Sequence, residues 1–261
     1  MNIVLLTGRA GSKSIVDKNL HPVLGRPLAF YPMHAATLAR KVDRIYISTD
    51  SPGLQALALE LGIGIIDRPP ELAGDDSELG DALVHALSSF DVEPTYLITM
   101  HCNCAVHREG LIDECIAMME TNPNADSCVT GGIEQSVHPF RTKRIDREGY
   151  LHPWLEMPEG TSTNRQALSL CFILDGAVRV LRVASCFPNT GQKPFTYLGR
   201  RILHVINDSG GMCMVWMTSP GLRPCCAPGV GKKVESLSNS LTLRLEVPII
   251  RLRRLVPQFI E

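Results

Sequence analysis

The sequence predicts an α/β fold with a mostly parallel sheet and crossover helices. Three observations predict it. Strand-like and helix-like segments alternate through the first half of the chain, the first apolar strand runs straight into a loop of glycines and cations, and 44% of the 261 residues are hydrophobic, ample for a large buried core.

Taken in order, residues 2–7 are an apolar run short enough for a buried strand, and residues 27–40 carry apolar positions at spacings of three and four, as an amphipathic helix does. Pro27 suits the first turn of that helix, and Pro32 is expected to kink it. Residues 44–50 read as the next strand, 52–61 as a helix, 64–67 as a short strand and 78–90 as a helix holding His85 as a packed residue. The unit then repeats with a buried strand at 95–100, a helix at 108–121 and a strand at 126–131. Residues 132–170 are polar, rich in proline and glycine and without a long periodic run, which marks an inserted arm; residues 168–181 and 201–206 supply the last clear apolar elements. The expected domain is therefore 1–221. Residues 222–261 form a separate tail with seven Arg or Lys against three acids, a basic segment of uncertain structure interrupted by Pro248 and Pro257.

Composition excludes several function classes. A formal net charge of −1 lacks the basic surplus that a general nucleic-acid binder needs, so no nucleic-acid partner is expected. No run of eighteen apolar residues is present and the N-terminus has no signal-peptide pattern, so a soluble, cytoplasmic protein without a membrane partner is expected. Nine cysteines, an odd number, fit reduced thiols better than a disulfide framework, and none of them stands at zinc-ligand spacing.

The chemistry concentrates after the first strand. Gly8 and Gly11 permit tight turns and close backbone approach, exposed N–H groups can point at oxygens, and Arg9, Lys13 and Lys18 place three cations within ten residues. Such a loop suits the phosphates of a nucleoside triphosphate. Arg9, Ser12 and Lys13 would grip the outer phosphates, Lys18 would reach the α-phosphate, and Asn19 suits a ribose or base edge. It is neither a P-loop, because Ser12 precedes Lys13, nor a dinucleotide loop, because its glycines are spaced G-x-x-G. In a parallel sheet the loops after residues 7, 50, 67, 100 and 206 share one face, where ligands collect. Asp50 there is either a helix N-cap or a site residue, and Arg68 stands in the loop after the strand at 64–67. His101 either bonds substrate, with a near-neutral pKa that permits proton transfer, or is a strand-end histidine bonded to backbone. Cys102 as a nucleophile would be a different enzyme.

The block Arg9, Gly11, Ser12, Lys13, Ile15, Lys18, Asn19, followed by Leu24-Gly25-Arg26-Pro27-Leu28, resembles the signature loop of the sugar-acid cytidylyltransferases, which include the acylneuraminate (CMP-sialic acid) synthetases. Ser48-Thr49-Asp50, Arg68-Pro69, His138 to Arg141, Asn164-Arg165 and Tyr197 to Ile202 are similar to further blocks of that family. The resemblance implies a nucleotide-diphospho-sugar transferase-like fold whose inserted region binds sugar and reaches the second subunit of a homodimer. It also implies transfer of CMP from CTP to a nonulosonic or related sugar acid, with release of pyrophosphate and Mg²⁺ as cofactor. On this reading Lys18 and Arg9 are catalytic, and Gly11, Ser12, Lys13, Asn19 and Arg68 bind nucleotide. His101, Arg141, Arg165 and Asp175 bind the sugar acid, the guanidinium forks of Arg141 and Arg165 matching its carboxylate. One departure stands out: the family's metal-holding Asp-x-Asp pair is replaced by Cys213 and Val215, leaving Asp208 as the candidate ligand. The alternative is a non-catalytic nucleotide-binding homologue that has lost that pair.

Overall fold

The structure is a computed structural model that describes residues 1–12, 15–162, 164–187 and 189–207. The basic segment 222–261, together with Lys13, Asp208, Cys213 and Val215, lies outside the described residues, as does the side chain of Arg165.

The elements follow one another as β1 (Asn2–Thr7), β2 (Pro22–Val23), β3 (Arg26–Pro27), α1 (Phe30–Thr37), β4 (Arg44–Thr49), α2 (Pro52–Glu60), β5 (Gly64–Asp67) and α3 (Leu79–Ser88). Then come β6 (Tyr96–His101), α4 (Leu111–Thr121), β7 (Ser127–Ile133), β8 (Lys143–Ile145), β9 (Leu151–Pro153), β10 (Phe172–Arg182), α5 (Val183–Cys186) and β11 (Ile202–Ile206). The central sheet has the order β11-β7-β10-β6-β1-β4-β5. β10 runs antiparallel to both β6 and β7, and the other pairings are parallel.

Both faces of the sheet are covered, which is why its strands are continuous apolar runs rather than alternating ones. One core packs Val4, Leu6, Ile47 and Ile98 against Met33 of α1, Leu54 of α2 and Ile116 of α4. The other packs Leu5, Leu97 and Leu181 against Leu83 and Ala86 of α3. The α/β class with a mostly parallel sheet agrees with the sequence reading. No helix among the described residues is long and apolar enough to cross a membrane.

Two local expectations are corrected. The first helix begins at Phe30 rather than residue 27, because Arg26–Pro27 pairs with Pro22–Val23. Leu24 and Gly25 between them take φ values of 48° and 82°, the left-handed pair that a two-residue hairpin turn needs. Starting there also puts Pro32 in the first turn, where its missing N–H has no intrahelical partner to lose, so its kink has no cause. The arm starts after Ile133 and carries the small β8–β9 hairpin, with Ile145, Tyr150, Leu151 and Trp154 exposed around it.

Candidate functional site

Because β1, β4, β5 and β6 run parallel, their carboxyl ends open on one edge, and the chain leaving β1 crosses that edge. The loop is held down by its own backbone. Gly8 N–H donates to the Ser48 carbonyl at 3.3 Å, and Ala10 N–H donates to Asp50 Oδ1 at 2.8 Å. Asn19 Nδ2 donates to the Arg9 carbonyl at 3.3 Å, closing the loop on itself. Gly8 is demanded by space: a Cβ there would stand 2.8 Å from both Cys102 Sγ and Leu54 Cδ1. Gly11 is demanded by conformation, with a φ of +67° and open room around it. Asp50 thus shapes the loop, while Ser51 takes the N-cap position of α2.

Under this loop lies a cleft of about 250 Å³ whose wall includes Arg9, Ser12, Lys18, Asn19, Arg68 and His101. The opposite wall is the segment from Leu72 to Ala82, with Asp75 and Glu78. Arg9 bridges the two: Nη1 donates to the Ala73 carbonyl at 3.2 Å and Nη2 meets Asp75 Oδ1 at 2.5 Å. Arg68 is buried and donates Nε to Ser48 Oγ at 3.1 Å and Nη2 to the Ser48 carbonyl at 2.8 Å. Lys18 is half-buried; desolvation, and then repulsion from Arg9, hold its ammonium pKa below the usual value. Cations crowded this way favour a polyanion, since phosphate oxygens would relieve both penalties.

His101 ends β6 in register with Thr7 of β1. Its Nε2 lies 2.7 Å from Arg179 Nη1 and its Nδ1 lies 3.0 Å from Thr7 Oγ1. A guanidinium only donates, so Nε2 accepts, and the ring proton sits on Nδ1 and points at Thr7, whose hydroxyl faces the Met100 carbonyl at 3.4 Å. Burial first, then Arg179, Arg68 and Lys18, push the imidazole pKa down to about 3, so the ring is neutral at physiological pH. With both nitrogens engaged and the acid form suppressed, His101 offers a wall to the cleft rather than a proton. Cys102 beside it is buried, and desolvation pushes its thiol up to about 12, so no thiolate nucleophile is available.

Other residues singled out from the sequence stand elsewhere. Asp175 is buried at a bulge of β10, next to Gly176 with a φ of +74°, and is not part of the cleft wall. Its Oδ1 accepts from Thr130 Oγ1 at 2.6 Å and Ala177 N–H at 2.8 Å, and its Oδ2 accepts from Asn207 Nδ2 at 2.6 Å. That carboxylate ties β10 to the middle of β7 and to the residue that follows β11. Arg141 is exposed in the turn after His138 and is not part of the cleft wall, while the Arg165 backbone opens a short 3-10 turn. The sequence reading missed Thr7, Asp75, Glu78, Asn103 and Arg179. A signal existed for Arg179, an arginine inside the apolar run 177–181.

The Mg²⁺ implied by resemblance finds no ready cage here: among the described residues no group of three His, Cys, Asp or Glu side chains is placed to hold a metal ion. Of the acids on the cleft wall, Asp75 is engaged by Arg9. Glu78 is the other acid of that wall, and Asp208, the candidate ligand read from the sequence, lies outside the described residues.

Comparison with known proteins bears on the family and the fold. The family model described as "Cytidylyltransferase" matches residues 3–147. The N-acylneuraminate cytidylyltransferase of Streptococcus agalactiae serotype V is 27% identical over 178 residues, covering 67% of this chain and 42% of that protein. The 8-amino-3,8-dideoxy-manno-octulosonate cytidylyltransferase of Shewanella baltica is 27% identical over 135 residues, covering 51% of this chain and 54% of that one. The chain thus spans about half or less of the length of the curated relatives it matches. Among solved structures, a CMP:2-keto-3-deoxy-manno-octonic acid synthetase complexed with CTP shares the fold, with a TM-score of 0.57 at 15% identity, covering 79% of this chain and 90% of that one.

Proposed function

The chain belongs to the cytidylyltransferase family, and from that premise we propose that it transfers CMP from CTP to a hydroxyl of a sugar acid of the nonulosonic type, releasing pyrophosphate. The observation that carries this reading is the cleft at the carboxyl ends of the parallel strands, where Arg9, Lys18 and Arg68 meet under a loop held open by Gly8 and Gly11. Arg9, with Ser12 and Lys13, holds the leaving pyrophosphate. Lys18 stands where charge develops on the α-phosphate; its half-buried ammonium, already disfavoured by Arg9, gains most when that charge is largest. Asn19 and Arg68 orient ribose and base.

The sugar acid enters from the arm. Arg141 and Arg165 bind its carboxylate in a homodimer in which the arm of one subunit reaches the cleft of the other, covering the apolar residues exposed around the β8–β9 hairpin. His101 forms the floor beneath the reacting groups. The protein works in the cytoplasm, where CTP is supplied.

Pyrophosphate release tests the proposal, measured with CTP, Mg²⁺ and a panel of sugar acids. Lys18→Met should lower turnover at least about a hundredfold while changing CTP affinity far less. CTP binding without release from any acid points instead to a non-catalytic nucleotide-binding homologue. Release with a different triphosphate, or with a neutral sugar, overturns the substrate assignment.

A further inference from the structure

Arg179 lies in the middle of β10, only 5% exposed, behind the cleft wall rather than on it. Its neighbours follow from the two-residue period of the sheet. Leu5, Leu97 and Leu181 face the α3 side, so Thr7, Thr99, His101 and Arg179 face it too, a polar row at the edge of an apolar core. Within that row Arg179 is paired across the strands with Thr99, and its guanidinium reaches the His101 ring at 2.7 Å.

Two features set this arginine apart. Among the described residues no carboxylate forms an ion pair with it, and its Nε is buried without a partner, as is Thr99 Oγ1 beside it. A buried charge is normally paired, because desolvation penalises an unpaired one heavily. Among the described residues, then, a buried cation without an ion pair stands one ring away from the cleft.

We propose that Arg179 is a positioning residue of the nucleotide cleft: it holds His101 in the Nδ1–H form against Thr7, and it places beneath the cleft floor a positive charge whose counter-ion is the bound triphosphate. This rests on the nucleotide reading above and deepens it. The charged groups acting on His101 are all cations, Arg179 from β10, Arg68 from the loop after β5 and Lys18 from the loop after β1. The floor therefore keeps its sign and its hydrogen-bond pattern across the physiological pH range, and an imidazolium never forms to compete with Lys18 for phosphate.

The test uses the full chain labelled with ¹⁵N-histidine, read by NMR without nucleotide, and calorimetry with CTP. In the wild type the His101 ring should show the Nδ1–H signature and no titration between pH 5 and 8. Arg179→Met removes both donor and charge: the ring pKa should rise, with Arg68 and Lys18 still restraining it, and CTP should bind about tenfold more weakly. Arg179→Lys restores a donor and a charge and should recover most of both effects, which a merely structural role would not do. A folded Arg179→Met protein in which either the ring signature or the CTP affinity is unchanged overturns the proposal. If that variant does not fold, the wild type decides: an Nε2–H ring, or titration near pH 6.5, overturns it equally. The ring signature is read without nucleotide, so absence of heat with CTP in the wild type overturns the nucleotide reading separately, and with it the counter-ion half of the proposal.

Discussion

Replacing Asp75 by asparagine should tighten CTP binding, although the substitution removes a charged residue from the site. Asp75 Oδ1 holds Arg9 Nη2 at 2.5 Å, with the two side chains 35% and 34% exposed. A pair this accessible contributes about 0.5–1 kcal/mol, since water screens the attraction and two long side chains must be ordered. If Arg9 takes the pyrophosphate, binding has to break that pair, so removing the carboxylate charge returns about 0.5–1 kcal/mol to the ligand, a two- to fivefold lower Kd. Arg9→Met should act in the opposite direction, weakening CTP about tenfold or more through loss of a charge-assisted hydrogen bond. In the Arg9→Met background most of the Asp75→Asn gain should vanish, because the two residues act through one contact. Calorimetry of the four proteins, at about 50 mM and about 500 mM salt, measures this; the gain should shrink at the higher salt as the screening length shortens. Weaker CTP binding by Asp75→Asn, or the same gain with and without Arg9, would refute the competition between carboxylate and phosphate.

Three further outcomes follow from the geometry. Gly8→Ala forces a methyl against Cys102 and Leu54, both buried; thermal denaturation should show a loss of about 1–3 kcal/mol together with weaker CTP binding, and an unchanged protein would mean the loop is not clamped there. For Asp126, burial alone would raise the carboxyl pKa, but the backbone N–H groups of Arg201 and Arg200 and the Arg201 side chain hold it at about 2. Its folded pKa lies below its unfolded value, so its stabilisation is present above about pH 4 and lost as pH falls towards 2. It amounts to on the order of 1 kcal/mol once the exposed Arg201 side chain is discounted, and Asp126→Asn should flatten urea-denaturation midpoints over that window. Cys102, with its thiol near 12 and its side chain buried, should resist iodoacetamide at pH 8 in the folded protein and react once unfolded; rapid labelling of the native chain, followed by mass spectrometry, would contradict its burial.

How much could be read in advance depended on whether the signal was local. The strand at Asn2–Thr7 and the loop after it were legible because an apolar run and a set of glycines and cations declare themselves over a dozen neighbouring residues. The start of α1 differs because Pro27, the first residue of the apparently helical spacing, belongs to a hairpin that pairs it with Pro22 through the turn at Leu24-Gly25. Asp175 carried a plausible role by its place in the chain, yet its oxygens accept from Thr130 within β7, Ala177 two residues along β10 and Asn207 just past β11. Nothing near residue 175 in the sequence announces Thr130 or Asn207, 45 and 32 residues away.

Residue order alone established the α/β class, the alternation of strands and helices, and the cation-bearing loop, because each rests on periodicity or backbone freedom within a short window. Folding decided the rest: that β10 enters antiparallel between β6 and β7, that Arg9 is held by Asp75, and that Arg179 reaches His101 from 78 residues away. Those contacts depend on strand order and register, which are set when distant apolar faces are buried together, and it is this burial that turns an ordinary strand-end histidine into a neutral floor under a positively charged cleft.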